Sequence, residues 1–157
     1  MWNIIDEYLT KVSLLINVDR KDLTLTRGKT TITPDNCKID YLKPNMGYGP
    51  ELSRYCVGSD KDTITSWGLY EFPSCCAFCV STQAYVTPKF RGVGVNTLSN
   101  ALRQQIAKNY GYSALICTDI ESNVAERKTL IANGFSDIYQ IKNKRTGNIV
   151  NISVKKL

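Results

Sequence analysis

One stretch constrains this chain more than any other. The apolar, strand-like residues Tyr85-Val86-Thr87 end in Pro88, and a basic, glycine-bearing turn follows, Lys89-Phe90-Arg91-Gly92-Val93-Gly94-Val95-Asn96. Thr97-Leu98-Ser99-Asn100-Ala101-Leu102 then starts a helical pattern. A strand that turns sharply into a helix leaves unpaired backbone N–H groups at the helix N-terminus, where the helix dipole also favours negative charge. Gly92 and Gly94 let the backbone turn tightly and approach a ligand closely. The arrangement predicts a seat for a pyrophosphate or similar anion.

Two common phosphate loops are excluded. The dinucleotide fingerprint G-x-G-x-x-G needs a third glycine where Thr97 stands, and a Walker A loop needs Gly-Lys-Ser/Thr, which the segment lacks. The run Val86-Thr87-Pro88-Lys89-Phe90-Arg91-Gly92-Val93-Gly94 instead resembles the acyl-CoA loop of the GNAT superfamily of N-acetyltransferases, Arg/Gln-x-x-Gly-x-Gly/Ala. Asn96 departs from it, since a small residue is usual there. A second match follows at the family's spacing, where Asn123-Val124-Ala125 leads to Asn133-Gly134-Phe135. Between the two lies Ser113-Ala114-Leu115-Ile116-Cys117-Thr118-Asp119, an apolar run like the family's fifth strand. The resemblance extends from Arg54 to the C-terminus and is weak over the first fifty residues.

The resemblance implies an α/β (α+β) fold. Its central sheet would be mixed and mostly antiparallel, flanked by helices and splayed between strands four and five. The pantetheine arm of acetyl-CoA, the implied cosubstrate, would thread through that splay. Ala84, Tyr85 and Val86 would offer backbone groups to the pantetheine, and Arg91, Gly92, Val93, Gly94, Val95, Asn96 and Thr97 would hold the pyrophosphate. Asn123 would complete the cofactor set. The resemblance implies an N-acetyltransferase that passes an acetyl group to an amine by direct attack on the thioester. A tyrosine usually stands seven residues after the Asn to protonate the departing thiolate, and here that position is Leu130. Two alternatives stay open: a non-catalytic acyl-CoA-binding or partner-regulating module, and an acetyltransferase acting on a nucleic acid or nucleotide.

The chain of 157 residues contains no His to act as base. Glu71, on the strand beside the fourth, is the carboxylate candidate for catalysis; its other reading is a solvated strand-end charge. Ser122 and Tyr139 are secondary proton donors, and Cys117 is either a nucleophile or a core thiol. Trp67, Tyr70, Tyr48 and Tyr55 line an acceptor pocket or simply pack.

The length fits a single domain, with residues 1–50 as a divergent part and 51–157 as the acyl-CoA-binding core. Hydrophobic content of 43% and charged content of 22% suit a soluble globular protein, and no 18-residue apolar run argues for a membrane span. The N-terminal residues lack a basic start and cleavage site, so a cytoplasmic location is expected. The net charge of +6 is read as a solvated surface or as a face for an anionic partner. The expected partners are acetyl-CoA and an amine, on a small molecule or a protein, with nucleic acid as a lesser alternative; the chain would be a monomer or homodimer. Six Cys without a secretion signal are expected to be reduced. Cys76-Ala77-Phe78-Cys79 has metal or redox spacing, but its apolar setting favours buried thiols and no metal.

Helical spacing predicts a helix over 2–17 and another over 97–109 that Gly111 stops. Strands are expected near 23–26, 36–42, 52–57, 63–72 and 75–86, then at 113–118, with a closing hairpin of 138–142 and 149–154. Ser122 or Asn123 is expected to cap a helix that Gly134 ends.

Overall fold

A computed structural model describes residues 1–38, 40–46, 54–73 and 77–157, with Met46 described by its backbone only. Helix α1 spans Trp2–Ile16, and the short strands β1 (Thr24–Arg27), β2 (Thr30–Thr31) and β3 (Asn45–Met46) follow. Next come β4 (Arg54–Gly58), β5 (Thr63–Glu71), β6 (Phe78–Val86), α2 (Val95–Asn109), β7 (Ala114–Ile120) and α3 (Val124–Ala132). The hairpin β8 (Ser136–Lys142) and β9 (Ile149–Lys156) closes the chain.

The strands form one sheet in the order β2-β1-β4-β5-β6-β7-β9-β8, with β3 pairing β5 beside the end of β4. Most pairs are antiparallel; β6–β7 and β3–β5 are parallel. This is the mixed, mostly antiparallel architecture expected. The α2 crossover between β6 and β7 supplies the parallel join, as a strand–helix–strand unit must.

The splay is visible in the register. β6 pairs with β7 only from Phe78↔Ala114 to Ser81↔Cys117. β7 stays paired with β9 as far as Ile120↔Val150. Beyond Ser81 and Cys117 the two parallel strands therefore part. β6 also carries a bulge, since Gly68 faces Thr82 while Ser66 faces Tyr85, so β6 has one residue more than β5 there. Gln83 in the bulge adopts a φ of 52°, unusual for a residue with a side chain. These two irregularities give the sheet its open notch.

One apolar cluster runs from Ile5 to Phe135. In α1, Ile5, Tyr8, Leu9 and Val12 recur at helical spacing and are buried. Trp67 lies fully buried at the centre, stacked on Tyr55 with ring centroids 5.8 Å apart and met edge-on by Tyr8 at 6.2 Å. Tyr55 and Trp67 are thus core residues, and the near-buried Tyr70 packs its ring over Gly68.

Two expectations change. Asn36–Lys38 and Asp40–Leu42 form 3₁₀ turns where a strand was expected. Asn36 Oδ1 accepts the Thr33 N–H at 2.9 Å and the Asn36 N–H bonds back to Thr33 Oγ1, a local side-chain device that curls the backbone away from a ladder. Helix α2 starts at Val95, two residues earlier than its apolar pattern, because Gly94 takes the N-cap position. Tyr48, Cys75, Cys76 and the first residues of the strand expected at 52–57 lie outside the described residues.

Candidate active site

The loop between β6 and α2 begins with a 3₁₀ turn, Pro88–Phe90, whose proline presets the first φ. The chain then passes through Gly92, with φ of 81°, and Gly94, with φ of 101°. Only glycine takes these conformations without strain. The first bond of the α2 ladder runs from Leu98 N–H to Gly94 C=O at 3.1 Å. The amides of residues 95–97 therefore precede the ladder, and no side chain caps them.

These amides face a cavity of about 510 Å³. Of the expected cofactor residues, it brings together Ala84, Tyr85, Val86, Arg91, Gly92, Gly94, Val95, Asn96, Thr97 and Asn123. Val93 is exposed and does not line it. The Arg91 N–H is spent on Pro88 C=O in the turn, and its guanidinium folds back over the Tyr85 ring, with Nε donating to Val86 C=O at 2.7 Å. Arg91 thus braces the loop against the end of β6. Asn123 is the N-cap of α3, its Oδ1 accepting the Glu126 N–H at 3.2 Å.

A second cavity, of about 330 Å³, fills the notch between the strands. Ser81, Thr82, Gln83 and Ala84 from β6 line one side, and Cys117 to Ile120 from β7 line the other. Ala84, Asn123 and Glu126 line both cavities, so the two are neighbouring parts of one groove.

A polar relay floors the groove on its helix side. Asn96 Nδ2 donates to Glu126 Oε2 at 2.7 Å. Asn96 Oδ1 accepts from Arg103 Nη2 at 3.3 Å, and Arg103 Nη1 donates to Ser81 Oγ at 2.7 Å. Arg103 is only 1% exposed and its guanidinium lies over the Trp67 ring. Burial pulls its pKa below the usual arginine value, while Cys117 and Glu126 nearby favour its charge. Asn96, the departure from the family's small residue, is thus matched by Glu126 and tied into the core. Cys117, 3% exposed, is pushed up to about 11, chiefly by burial, so it carries almost no thiolate at neutral pH.

Two residues singled out in the sequence lie outside the groove. Glu71 lines neither cavity: it pairs with Cys79, before β6 and β7 part at Ser81, and lies at the opposite end of the strand pair from the loop that leaves Val86. Because β5 runs antiparallel to β6, those positions are about 20 Å apart at ~3.3 Å per residue. There the buried Glu71 carboxylate accepts the Tyr112 hydroxyl. Leu130 is 1% exposed, belongs to the core and lines neither cavity. Sequence reasoning missed Ser81, Arg103 and Glu126. A charged residue in an otherwise amphipathic helix reads as solvent-facing, and only the folded contact reveals that position 103 points at Ser81.

No protein-family model matches the sequence, and no curated protein sequence does. Solved structures do. A candidate phosphinothricin N-acetyltransferase superposes with a TM-score of 0.63 at 15% identity, over 86% of this chain and 98% of that one. The chain has the GNAT fold. Ard1 from Thermoplasma volcanium superposes with a TM-score of 0.61 at 11% identity, over 87% of this chain and 98% of its own. A GNAT family acetyltransferase from Elizabethkingia anophelis, solved with acetyl-CoA bound, gives 0.58 at 18%, over 87% and 99%. In GNAT-fold terms, β6 and β7 here are the fourth and fifth strands, and the notch is the splay between them.

Proposed function

We propose that the chain is an acetyl-CoA-dependent N-acetyltransferase that transfers an acetyl group to an amine by direct attack on the thioester. The observation that carries this reading is the coincidence of three features in one groove: uncapped α2 amides, a cavity running along β6, and the notch between β6 and β7. The residues present fit the coenzyme. A side chain built at Gly92 would meet nothing within 4 Å, so a phosphate can approach that backbone, and the helix end favours its charge. Acetyl-CoA would supply an acetyl group on a good leaving thiolate.

The chain's own groups meet the remaining demands. Backbone groups of residues 82–86, which do not pair with β7, would hold and orient an extended arm as a missing strand would be held. Glu126 replaces Glu71 as the candidate proton acceptor, because it stands where the two cavities meet and its carboxylate is fixed by Asn96. The proton on the attacking nitrogen passes to that carboxylate as the C–N bond forms and the C–S bond breaks. Leu130 has no proton to give, so water would protonate the departing thiolate. Cys117 takes no part as a nucleophile.

The buried, non-ionisable Leu130 also favours a second reading, a module that binds acyl-CoA without turnover. Two measurements test the pair. Titration calorimetry should find that wild type binds coenzyme A and that Gly94→Glu, which sets a carboxylate at the helix end, does not. Equal behaviour of the two proteins removes both readings. Thiol release from acetyl-CoA with a panel of amines then separates them: turnover that Glu126→Gln reduces supports the enzyme, and binding without turnover supports the module.

A further inference from the structure

The notch is lined from both faces of the sheet. On one face of the sheet it meets Arg103, Asn123 and Glu126; on the other it meets Thr118, Ile120 and Val150. The contacts Tyr8–Trp67, Arg103–Ser81 and Arg127–Asp119 show all three helices lying against the first face. Residues directly paired across strands share a face. The register therefore sets Ile120, Val150 and Ile141 in one row across β7, β9 and β8 on the second face, and Thr118, Ile152 and Tyr139 in the next. No described helix covers these rows. Tyr139 is 67% exposed, and Ile120 and Ile141 are each 40% exposed.

We propose that these two rows are the acceptor platform, and that the acceptor is an amine carried on an apolar or aromatic body. This rests on the acetyl-transfer reading above and names its substrate class. Ile120 and Val150 belong both to the platform and to the wall of the notch, so a body lying on the rows has its nitrogen at the notch. The nitrogen passes between the strands toward Glu126 on the helix side. The rows hold no carboxylate, so a small cationic amine finds nothing there to replace its lost hydration. An apolar body, in contrast, leaves water for the side chains of isoleucine, valine and tyrosine. Inside the notch Asp119 is paired with the cation Arg127 and with Asn151, whereas Glu126 accepts only from the neutral Asn96 through one oxygen, which leaves its carboxylate charge for the amine.

The test compares 2-phenylethylamine with ethanolamine, primary amines of similar basicity, on the full chain loaded with acetyl-CoA. Wild type should prefer the phenyl compound by at least about tenfold in kcat/KM, on the order of what one or two methylenes discriminate in an apolar pocket. The double variant Tyr139→Ser, Ile141→Thr should lose most of that preference through a raised KM, with coenzyme A affinity intact. Both positions are exposed, so the fold should survive. Equilibrium dialysis of 2-phenylethylamine with the coenzyme A complex gives the same comparison without turnover. Equal use or binding of the two amines overturns the proposal, as does a preference that the variant retains. A wild-type dimer in sedimentation that the variant dissociates also overturns it and assigns the face to a second copy. If wild type fails to bind coenzyme A at all, the acetyl-transfer reading is what falls, and the platform with it.

Discussion

Leu130 stands where the family resemblance implies a proton-donating tyrosine, yet its side chain is packed inside the apolar cluster. Truncation should therefore cost stability: Leu130→Ala is expected to lose about 2–5 kcal/mol in urea unfolding while leaving coenzyme A affinity unchanged. Leu130→Tyr should not restore an acid. It forces a larger ring into a closed site, and we expect a loss of about 1–3 kcal/mol with no gain in kcat. A stable Leu130→Tyr protein with a raised kcat would show that the ring reaches the notch after all. At this scale the sequence was legible where a residue type is demanded by backbone geometry. Gly94 and Asn123 are at helix starts because only a few residue types suit those positions. It was illegible where position depends on distant pairing. Glu71 looked close to the fourth strand in the chain, but strand direction carries it to the far end. Nothing in the sequence marks Gln83 as the residue with positive φ, since glycine is usual there.

Among the elements, α3 is tied to two strands of the sheet through the polar contacts of Arg127. Arg127 donates to Asp119 on β7 and, as a two-pronged fork, to Asp137 on β8. Arg127 and Ser153 hold the Asp137 carboxyl below its usual range. A depressed carboxylate contributes stability that is present above the unfolded-state pKa and lost as pH falls through the folded one. Asp137→Asn should therefore lower Tm at pH 7, and the gap to wild type should narrow on acidification through and below the ordinary aspartate range. Asp137 is partly exposed, so the effect should be modest and should shrink in high salt. A gap that is constant with pH would mean that the pair contributes nothing through charge. Element type was readable wherever apolar spacing was regular, as in α1 and β5. It failed at 36–42, where a reciprocal Thr33–Asn36 bond outcompetes an ambiguous apolar pattern.

For the molecule as a whole, protection should follow the strand order. β5 is paired on both sides and buried along almost its whole length, whereas β8 pairs only with β9 and is exposed throughout. Amide exchange should be slowest in β5 and fast along the outer edge of β8. Protection of β8 equal to that of β5 would mean that another chain covers the edge. The GNAT fold was legible from two motifs and the strand–helix–strand order between them, because a parallel join and a glycine loop permit few arrangements. Between residues 18 and 46 only the strand at 24–27 was legible, since short turns and two-residue strands leave little periodicity. The sheet is also two blocks joined at a narrow waist. β6 and β7 share four residue pairs, and the chain crosses between the blocks once, through the loop and α2. Severed after Phe90, the polypeptide becomes two uninterrupted fragments, one carrying β1 to β6 and the other α2 to β9. A molecule lying in the notch would touch both fragments, so its binding should favour their reassembly.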